Sequence, residues 1–348
     1  MGWALARPRL PMTDQAPDTE LTASAPGKIV LSGEYAVLDG APAVCMAVDR
    51  RARVTISPAV EDHHTVTAPG FTSECGRFRD AGGKLEWLAG GADFALVDDV
   101  WCTAAGTIST NLSLVLDTNE FQDRKSGLKF GIGSSAALTV ALTAALCELA
   151  GIDADIRSLS LDAHRKFQRG LGSGIDVACS YAGGLVEFSA GTDRVQQIAW
   201  PDGLVYALIW SGASASTSKR LETLGKQDAQ PSRAALVNSA RRIAQAWCDG
   251  SAHAILDEYR DHINVLREFS GDHKLGIFDA GHAELSDAAD AAGVVYKPCG
   301  AGGGDVGIVF ADNDAAVTAF VGNALPDNFR VLNMIIDSSG VQTVREKP

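Results

Sequence analysis

The sequence predicts a mixed α/β (α+β) fold divided into two domains. Its 348 residues exceed the length of one typical domain and leave room for two of medium size. Short apolar runs with strand-like alternation fill the first third, and an alanine-rich helical run follows them. The second half reads as several helices, two strands, a helix and a strand, which suits helices packed on one face of an antiparallel sheet. We expect a disordered leader at 1–20, an N-terminal domain at 21–200 and a C-terminal domain at 201–348.

The first ordered part of the chain is predicted to be antiparallel ribbons. Residues 44–60 alternate polar Arg51 and Arg53 with apolar Ala52 and Val54, which indicates a half-exposed strand. Residues 69–93 are glycine-rich and predict no clear element. The remaining elements expected before the central loop are strands at 21–37 and 64–68, a helix at 94–103 and a strand at 111–116.

Beyond the central loop, an amphipathic helix is expected at 155–169 and a hairpin from 184–188 and 195–200. A strand at 204–210 then leads into the second half. The elements predicted there are helices at 219–225, 232–248, 252–269 and 279–292, strands at 294–297 and 306–310, a helix at 313–323 and a strand at 329–337.

Composition excludes several function classes. The formal net charge of −13 argues against nucleic acid or an anionic membrane as a partner, because both require a basic surface. No apolar run approaches the length of a membrane-spanning helix, and the first 20 residues lack the apolar core of a signal peptide. Seven scattered cysteines without C-x-x-C spacing suit a reducing cytoplasm and no structural zinc. Histidines 63, 64, 253, 262, 273 and 282 lack metal-ligand spacing and are expected at the surface.

The central motif is a glycine and serine loop that opens an alanine-rich helix. Free backbone N–H groups and the positive end of a helix dipole meet where such a helix begins, and glycines let the backbone approach an anion closely. The loop therefore predicts a phosphate site. Its residues are Lys129, Gly131, Ile132, Gly133, Ser134, Ser135 and Ala136.

The loop has two other possible interpretations. A glycine followed by a serine also starts many helices that bind no ligand. The spacing of Gly131, Gly133 and Ala136 also fits the dinucleotide motif G-x-G-x-x-A, with Asp153 or Asp155 as the acidic residue. That motif needs a strand that runs into the first glycine, whereas residues 121–128 are polar and loop-like, which argues against a dinucleotide site.

Two further glycine loops and an N-terminal Pro-Gly-Lys accompany the central loop. Together, Ala25-Pro26-Gly27-Lys28 to Glu34, the Gly131 loop and Gly300 to Asp305 resemble the three signatures of the GHMP small-molecule kinases. The resemblance implies the two-domain fold of that family, with a ferredoxin-like C-terminal domain and a cleft between the halves. It implies ATP and Mg²⁺ as cofactors, with the central loop residues binding the nucleotide and Ser135 binding the metal.

The resemblance also implies a catalytic pair. Asp176 follows the second glycine turn and matches the family's catalytic aspartate, and Lys28 matches the lysine that lies beside it. Such a carboxylate accepts the proton of the attacking oxygen or orients that oxygen. On residue type alone, a helix-capping aspartate is the commoner explanation. No glutamate stands at the expected place in residues 162–168, so the second metal ligand stays open.

Local features resemble the family members whose acceptor already carries a phosphate. Ser214, Ser216 and Thr217 supply hydroxyl and amide donors for a compact dianion, although a flexible serine linker is an alternative. We therefore expect a phosphorylated small-molecule substrate, with an unphosphorylated acceptor of the same kinase class or a non-catalytic sensor as alternatives. The chain is expected to be a cytoplasmic monomer or homodimer. The other acceptor-binding candidates are Lys28, Tyr35, Ser173, Gly174, Gly300, Ala301 and Gly302.

Overall fold

The computed structural model describes residues 20–345, apart from 106, 107, 109, 171, 193, 216 and 225–229, and describes only the backbone at 217, 218 and 230. The predicted leader at 1–20 therefore lies outside the described residues, except for Glu20. The described chain forms two sheets with helices packed against them, which confirms the predicted α/β class.

The strands are β1 Leu21–Ser32, β2 Ala43–Pro58, β3 His64–Thr67, β4 Cys75–Asp80, β5 Leu85–Ala89, β6 Leu112–Asp117, β7 Leu185–Ser189, β8 Arg194–Ile198, β9 Val205–Trp210, β10 Val295–Pro298, β11 Val306–Ala311, β12 Arg330–Leu332 and β13 Gln342–Arg345. The helices are α1 Ala95–Ala104, α2 Ser134–Ala150, α3 Ile156–Phe167, α4 Ile175–Ala182, α5 Thr217–Leu224, α6 Gln230–Asp249, α7 Ala252–Asp272, α8 His282–Ala291 and α9 Asp314–Ala324.

The first sheet has nine strands and carries the phosphate-site motif on its helical face. Its main path runs β13-β1-β2-β6-β3-β4-β5, and β7 joins β2 to β8. The pairs are antiparallel except β3 with β6, which is parallel and differs from the expected ribbons. α2 packs on β1 and β2 and is covered by α1, α3 and α4. Its small apolar side chains are buried on nearly all sides, because alanines let the surrounding elements approach closely.

The second sheet has four antiparallel strands in the order β10-β11-β9-β12. α8 and α9 pack on one side around Phe320 and Tyr296, while α6 and α7 bury Trp247 and Tyr259 on the other. Residues 21–198 and 342–345 supply the first sheet, whereas 205–332 supply the second. The domain bounds themselves stay a prediction.

Several expectations from the sequence were wrong. β4 and β5 lie in the 69–93 stretch for which no element was predicted, and β13 was missed. The last predicted strand, 329–337, shortens to β12 at Arg330–Leu332.

Four histidines expected at the surface are buried. His64 stacks on Phe78 with ring centroids 4.9 Å apart and accepts a hydrogen bond from the Leu112 amide. His262, His273 and His282 are also fully buried. A histidine can be buried in the core when aromatic rings and polar partners surround its own ring. No sequence pattern distinguishes such a histidine from an exposed one.

Candidate active site

A cleft of about 680 Å³ contains most of the predicted site residues. Elements from both sheets line it: β1 and the turn after it, the loop before α2, the start of α4, and the loop between β10 and β11. The sequence-predicted residues that line this cleft are Lys28, Tyr35, Lys129, Gly131, Gly133, Ser134, Ser135, Ser173, Asp176, Ser214, Gly300 and Ala301. Residues more than 250 positions apart in the sequence therefore share one wall.

The loop that the sequence predicts to bind a nucleotide, residues 129–135 and called the nucleotide loop from here on, ends in an uncapped helix N-terminus. Gly131 and Gly133 have φ angles of 80° and 81°, a left-handed conformation that a side chain disfavours. Gly133 is the N-cap of α2, and no side chain caps the first turn. Ser134 and Ser135 of that turn line the cleft, and among the described residues no side chain is seen to cap its N–H groups, as an anion-binding helix start requires.

A second helix N-terminus meets the same cleft. α4 begins after Gly174, which is also left-handed and makes no side-chain cap. Asp176 lies in the first turn, is half-buried, and accepts a hydrogen bond from the Val177 amide at 3.1 Å. Ser173 accepts a weak bond from the Ile175 amide at 3.4 Å. The carboxylate of Asp176 is thus placed at a dipole end that stabilises negative charge.

Lys28 lies between the nucleotide loop and the loop that follows β10. Its backbone N–H donates to the Ile132 carbonyl at 2.8 Å, which ties β1 to the nucleotide loop. A Cβ built on Gly133 would lie 3.0 Å from Cγ and Cε of Lys28, and one on Gly300 would lie 3.9 Å from its Nζ. Within the described residues, no ion pair of 4.0 Å or less joins Lys28 to Asp176. The predicted direct pair is therefore absent, although both charges face the cleft.

Tyr35 connects the first glycine motif to the third. Its hydroxyl donates to the Ala301 carbonyl at 2.7 Å, and its ring lies 5.6 Å from that of Phe269. Burial raises the pKa of this phenol, so it remains a donor throughout the physiological range. The contact bridges 266 positions and holds the third glycine loop, residues 300–304, at the cleft.

A buried charged cluster lies directly behind Tyr35. Lys297 donates to the Glu34 carboxylate and, at 3.1 Å, to the Leu31 carbonyl. His262 Nε2 lies 4.0 Å from the second Glu34 oxygen. Burial raises the pKa of Glu34 above its ordinary value, against the opposing effect of Lys297. Burial, with Lys297 nearby, lowers the pKa of His262 to about 3, so that histidine is neutral.

Some predicted site residues do not line the cleft. Ile132 is buried and contributes only its carbonyl, because its side chain points into the core beside Phe121. Ala136 is buried in the first turn of α2, and Gly302 packs against Ile277. Gly174 acts as the N-cap of α4. Ser216 lies outside the described residues, as does the side chain of Thr217.

The sequence reasoning assigned no role to several cleft residues. Glu34 and Asp305 end two of the motifs, and their place in those motifs was the available signal. Phe167, Gln168 and Arg169 at the end of α3 also line the cleft. The sequence predicted these three only as the end of the amphipathic helix at 155–169, and amphipathic spacing does not show that a helix end lines a cleft.

Ser135 is the predicted metal ligand. Its hydroxyl lies 3.2 Å from Nε2 of His164, so an imidazole takes the place where a carboxylate was sought. In the described part of the chain, no group of three His, Cys, Asp or Glu residues could hold a metal. The oxygens of Ser135 and Asp176 nevertheless fit Mg²⁺, which prefers oxygen and takes many of its ligands from phosphates and water.

The chain is similar to known proteins in sequence and in fold. Residues 118–184 match the model of the GHMP kinases N terminal domain. A phosphomevalonate kinase of Streptomyces sp. (strain CL190) is 29% identical, with 84% of this chain and 90% of that protein covered. A mevalonate kinase of Methanothermobacter thermautotrophicus is 35% identical over 47% of this chain and 49% of its own. The structure of Streptococcus pneumoniae phosphomevalonate kinase in complex with phosphomevalonate and AMPPNP superposes with a TM-score of 0.75 at 20% identity, covering 90% of this chain and 99% of that one.

Proposed function

We propose that this chain, a member of the GHMP kinase family, transfers the γ-phosphate of ATP to mevalonate 5-phosphate. The products are mevalonate 5-diphosphate and ADP, and the reaction is a step on the route to isoprenoids. The observation that carries the proposal is that the uncapped start of α2, the start of α4, Lys28 and Asp176 line one cleft. The similarity to a phosphomevalonate kinase over most of both chains supports this acceptor.

The nucleotide's phosphates would bind at the nucleotide loop. The free N–H groups of the first turn of α2 would hydrogen-bond them, and the dipole of α2 would favour their negative charge. Ser135 would hold Mg²⁺ through its hydroxyl, and the ion would supply charge neutralisation to the nucleotide's phosphates. The exposed Lys129 side chain, whose Nζ lies 5.6 Å from the Phe71 ring centre, would add a cation at the cleft mouth.

The transfer itself needs positioning and charge neutralisation. An oxygen of the acceptor's phosphate forms a bond to the γ-phosphorus while the bond to the bridging oxygen of ADP breaks. Asp176 would orient the attacking oxygen or take its proton, and Lys28 would stabilise the charge on the moving phosphoryl group. Ser214, at the cleft beside the nucleotide loop, would hold the acceptor's own phosphate.

Asp176→Asn tests the catalytic assignment. The variant should lower kcat by about 10²- to 10⁴-fold, because it keeps the shape but loses the charge that orients or deprotonates the acceptor. Its affinity for AMP-PNP should remain within about twofold of wild type by calorimetry, since the nucleotide loop is untouched. Asp162→Asn, an exposed carboxylate on α3 outside the cleft, is the matched control. A non-catalytic sensor would show no turnover in either protein.

A second candidate is phosphorylation of mevalonate itself, favoured by the 35% identity to a mevalonate kinase. An ADP-coupled assay with mevalonate and mevalonate 5-phosphate separates the two. Turnover with mevalonate alone would overturn the proposed acceptor. We also propose a cytoplasmic location, supported by seven free cysteines. Among the described residues, no helix is long and apolar enough to cross a membrane.

A further inference from the structure

Asp305 ends the third glycine motif and has no part in the function proposed above. It is a non-glycine residue with a φ of 57°, directly after a run of three glycines. A side chain in the left-handed region is strained, and strain of this kind persists where the surrounding structure enforces it. Glycine would adopt this backbone with less conformational strain. The carboxylate of Asp305 is therefore expected to make contacts that a glycine could not make.

The carboxylate and backbone of Asp305 hold the serine loop, defined here as residues 211–215. Oδ1 accepts a hydrogen bond from the Ala215 amide at 2.9 Å. The Asp305 amide donates to the Ala213 carbonyl at 2.7 Å, and the Asp305 carbonyl accepts from the Ser211 amide at 3.0 Å. Three hydrogen bonds therefore fix the loop that carries Ser214.

The other side of the same carboxylate rests against the nucleotide loop. A Cβ built on Gly131 would lie 2.1 Å from Cγ and 2.3 Å from Oδ2 of Asp305, so only glycine leaves room for the carboxylate. Ser214 reinforces this contact, since its hydroxyl reaches the Lys129 carbonyl at 3.4 Å. One side chain thus touches both loops that we assign to phosphate binding.

The charge of Asp305 is unfavourable for a phosphate cleft. Burial raises the pKa of this carboxyl, while the Ala215 amide, Lys28 and Arg220 oppose that rise. An anion beside bound phosphates repels them. The Asp305 side chain therefore contributes through its shape and its acceptor oxygens rather than through its charge.

We propose that Asp305 is a positioning residue that holds the serine loop against Gly131 and so sets the distance between acceptor phosphate and nucleotide. This inference rests on the proposed kinase function for the identity of its ligands. It assigns Asp305 no contact with the reacting atoms.

A double-mutant cycle tests the contact with the nucleotide loop. Gly131→Ala should weaken AMP-PNP binding about 10-fold or more when Asp305 is present, because the new methyl group collides with the carboxylate. In an Asp305→Gly background the collision is absent, and only the backbone strain at 131 remains, which is common to both arms. The same change should therefore weaken AMP-PNP binding by no more than about threefold. Equal losses in the two backgrounds would overturn the contact.

Hydrogen exchange tests the contact with the serine loop. Asp305→Gly should speed exchange of the Ala215 amide about 10-fold or more, whereas Asp305→Asn, which keeps an acceptor oxygen, should restore most of the protection. The control is Asp80→Asn, which alters a turn carboxylate that accepts the Gly83 amide outside the cleft. Unchanged Ala215 exchange in Asp305→Gly would refute the positioning role.

Acceptor binding completes the test. With AMP-PNP bound, Asp305→Gly should raise the Kd for phosphomevalonate about 5-fold or more, and Asp305→Asn should raise it less. An unchanged Kd in Asp305→Gly would overturn the inference. If the wild-type protein does not bind phosphomevalonate, the proposed acceptor fails alone, because the AMP-PNP cycle and the Ala215 exchange are measured without it.

Discussion

Lys297→Met should strongly destabilise the protein by leaving a buried carboxylate unpaired. Lys297 is 0% exposed and Glu34 is 4% exposed, so neither charge is solvated by water. Removing one partner of such a pair costs about 3 to 5 kcal/mol, because the other charge stays buried without compensation. In the wild-type protein His262 is neutral, because burial first and Lys297 second lower its pKa to about 3, so Lys297 is the cation that pairs with Glu34. The Leu31 carbonyl keeps its bond from the Tyr259 hydroxyl at 2.9 Å, so the loss falls on Glu34.

Urea unfolding followed by tryptophan fluorescence measures the effect at pH 7. The control is Glu34→Gln/Lys297→Met, in which neither residue is charged and most of the lost stability should return. If the double variant is as unstable as Lys297→Met alone, the loss does not arise from the unpaired carboxylate and the reasoning fails.

The stability deficit of Lys297→Met should depend on pH in a known direction. The folded pKa of Glu34 lies above its ordinary value of 4.5, and removal of Lys297 raises it further. A carboxyl with a raised folded pKa binds more protons in the folded protein, so stability rises as the pH falls through that pKa. The deficit of Lys297→Met relative to wild type should therefore be smaller at pH 5 than at pH 7. A deficit that grows on acidification would contradict the assignment.

Two further predictions concern glycine and histidine. Gly133→Ala should reduce kcat/KM and lower Tm more than Gly151→Ala does. Both glycines have left-handed backbones, but only at 133 would the new Cβ contact the Lys28 side chain, at 3.0 Å. Equal effects would show that backbone strain alone matters. Burial lowers the pKa of His282 to about 4 in the folded protein. As the pH falls, the unfolded chain therefore binds this proton before the folded protein does. The free energy of unfolding should decrease by about 3 kcal/mol between pH 6.5 and 4 because of this histidine. His282→Gln should flatten that part of the urea stability curve, and an unchanged slope would contradict this account.

The local parts of the site could be predicted from the sequence. A glycine, an uncapped helix start and an apolar helical run are adjacent along the chain, so the nucleotide loop and α2 could be identified without tertiary information. The turn before Asp176 was found in the same way. The resemblance in the three glycine motifs then supplied what spacing alone could not, the expectation that these pieces share one cleft.

The long-range parts could not be predicted. Glu34 pairs with Lys297 across 263 positions, and a charged residue in an apolar strand gives no sign of its partner. Whether a histidine is buried depends on which aromatic rings surround it, as at His64. Asp305 could be read as the end of a motif, but its contact with Gly131 depends on how two loops from different sheets meet.

The pairing of β13 with β1 affects the order in which the protein is assembled. Arg345 lies opposite Leu21, at the edge of the strand that also carries Lys28. During synthesis this edge stays open until residues 342–345 have left the ribosome, after every other described strand has been made. A fragment that stopped near residue 200 would therefore keep both helix starts of the cleft, yet it would expose an unpaired strand edge of the kind that promotes aggregation.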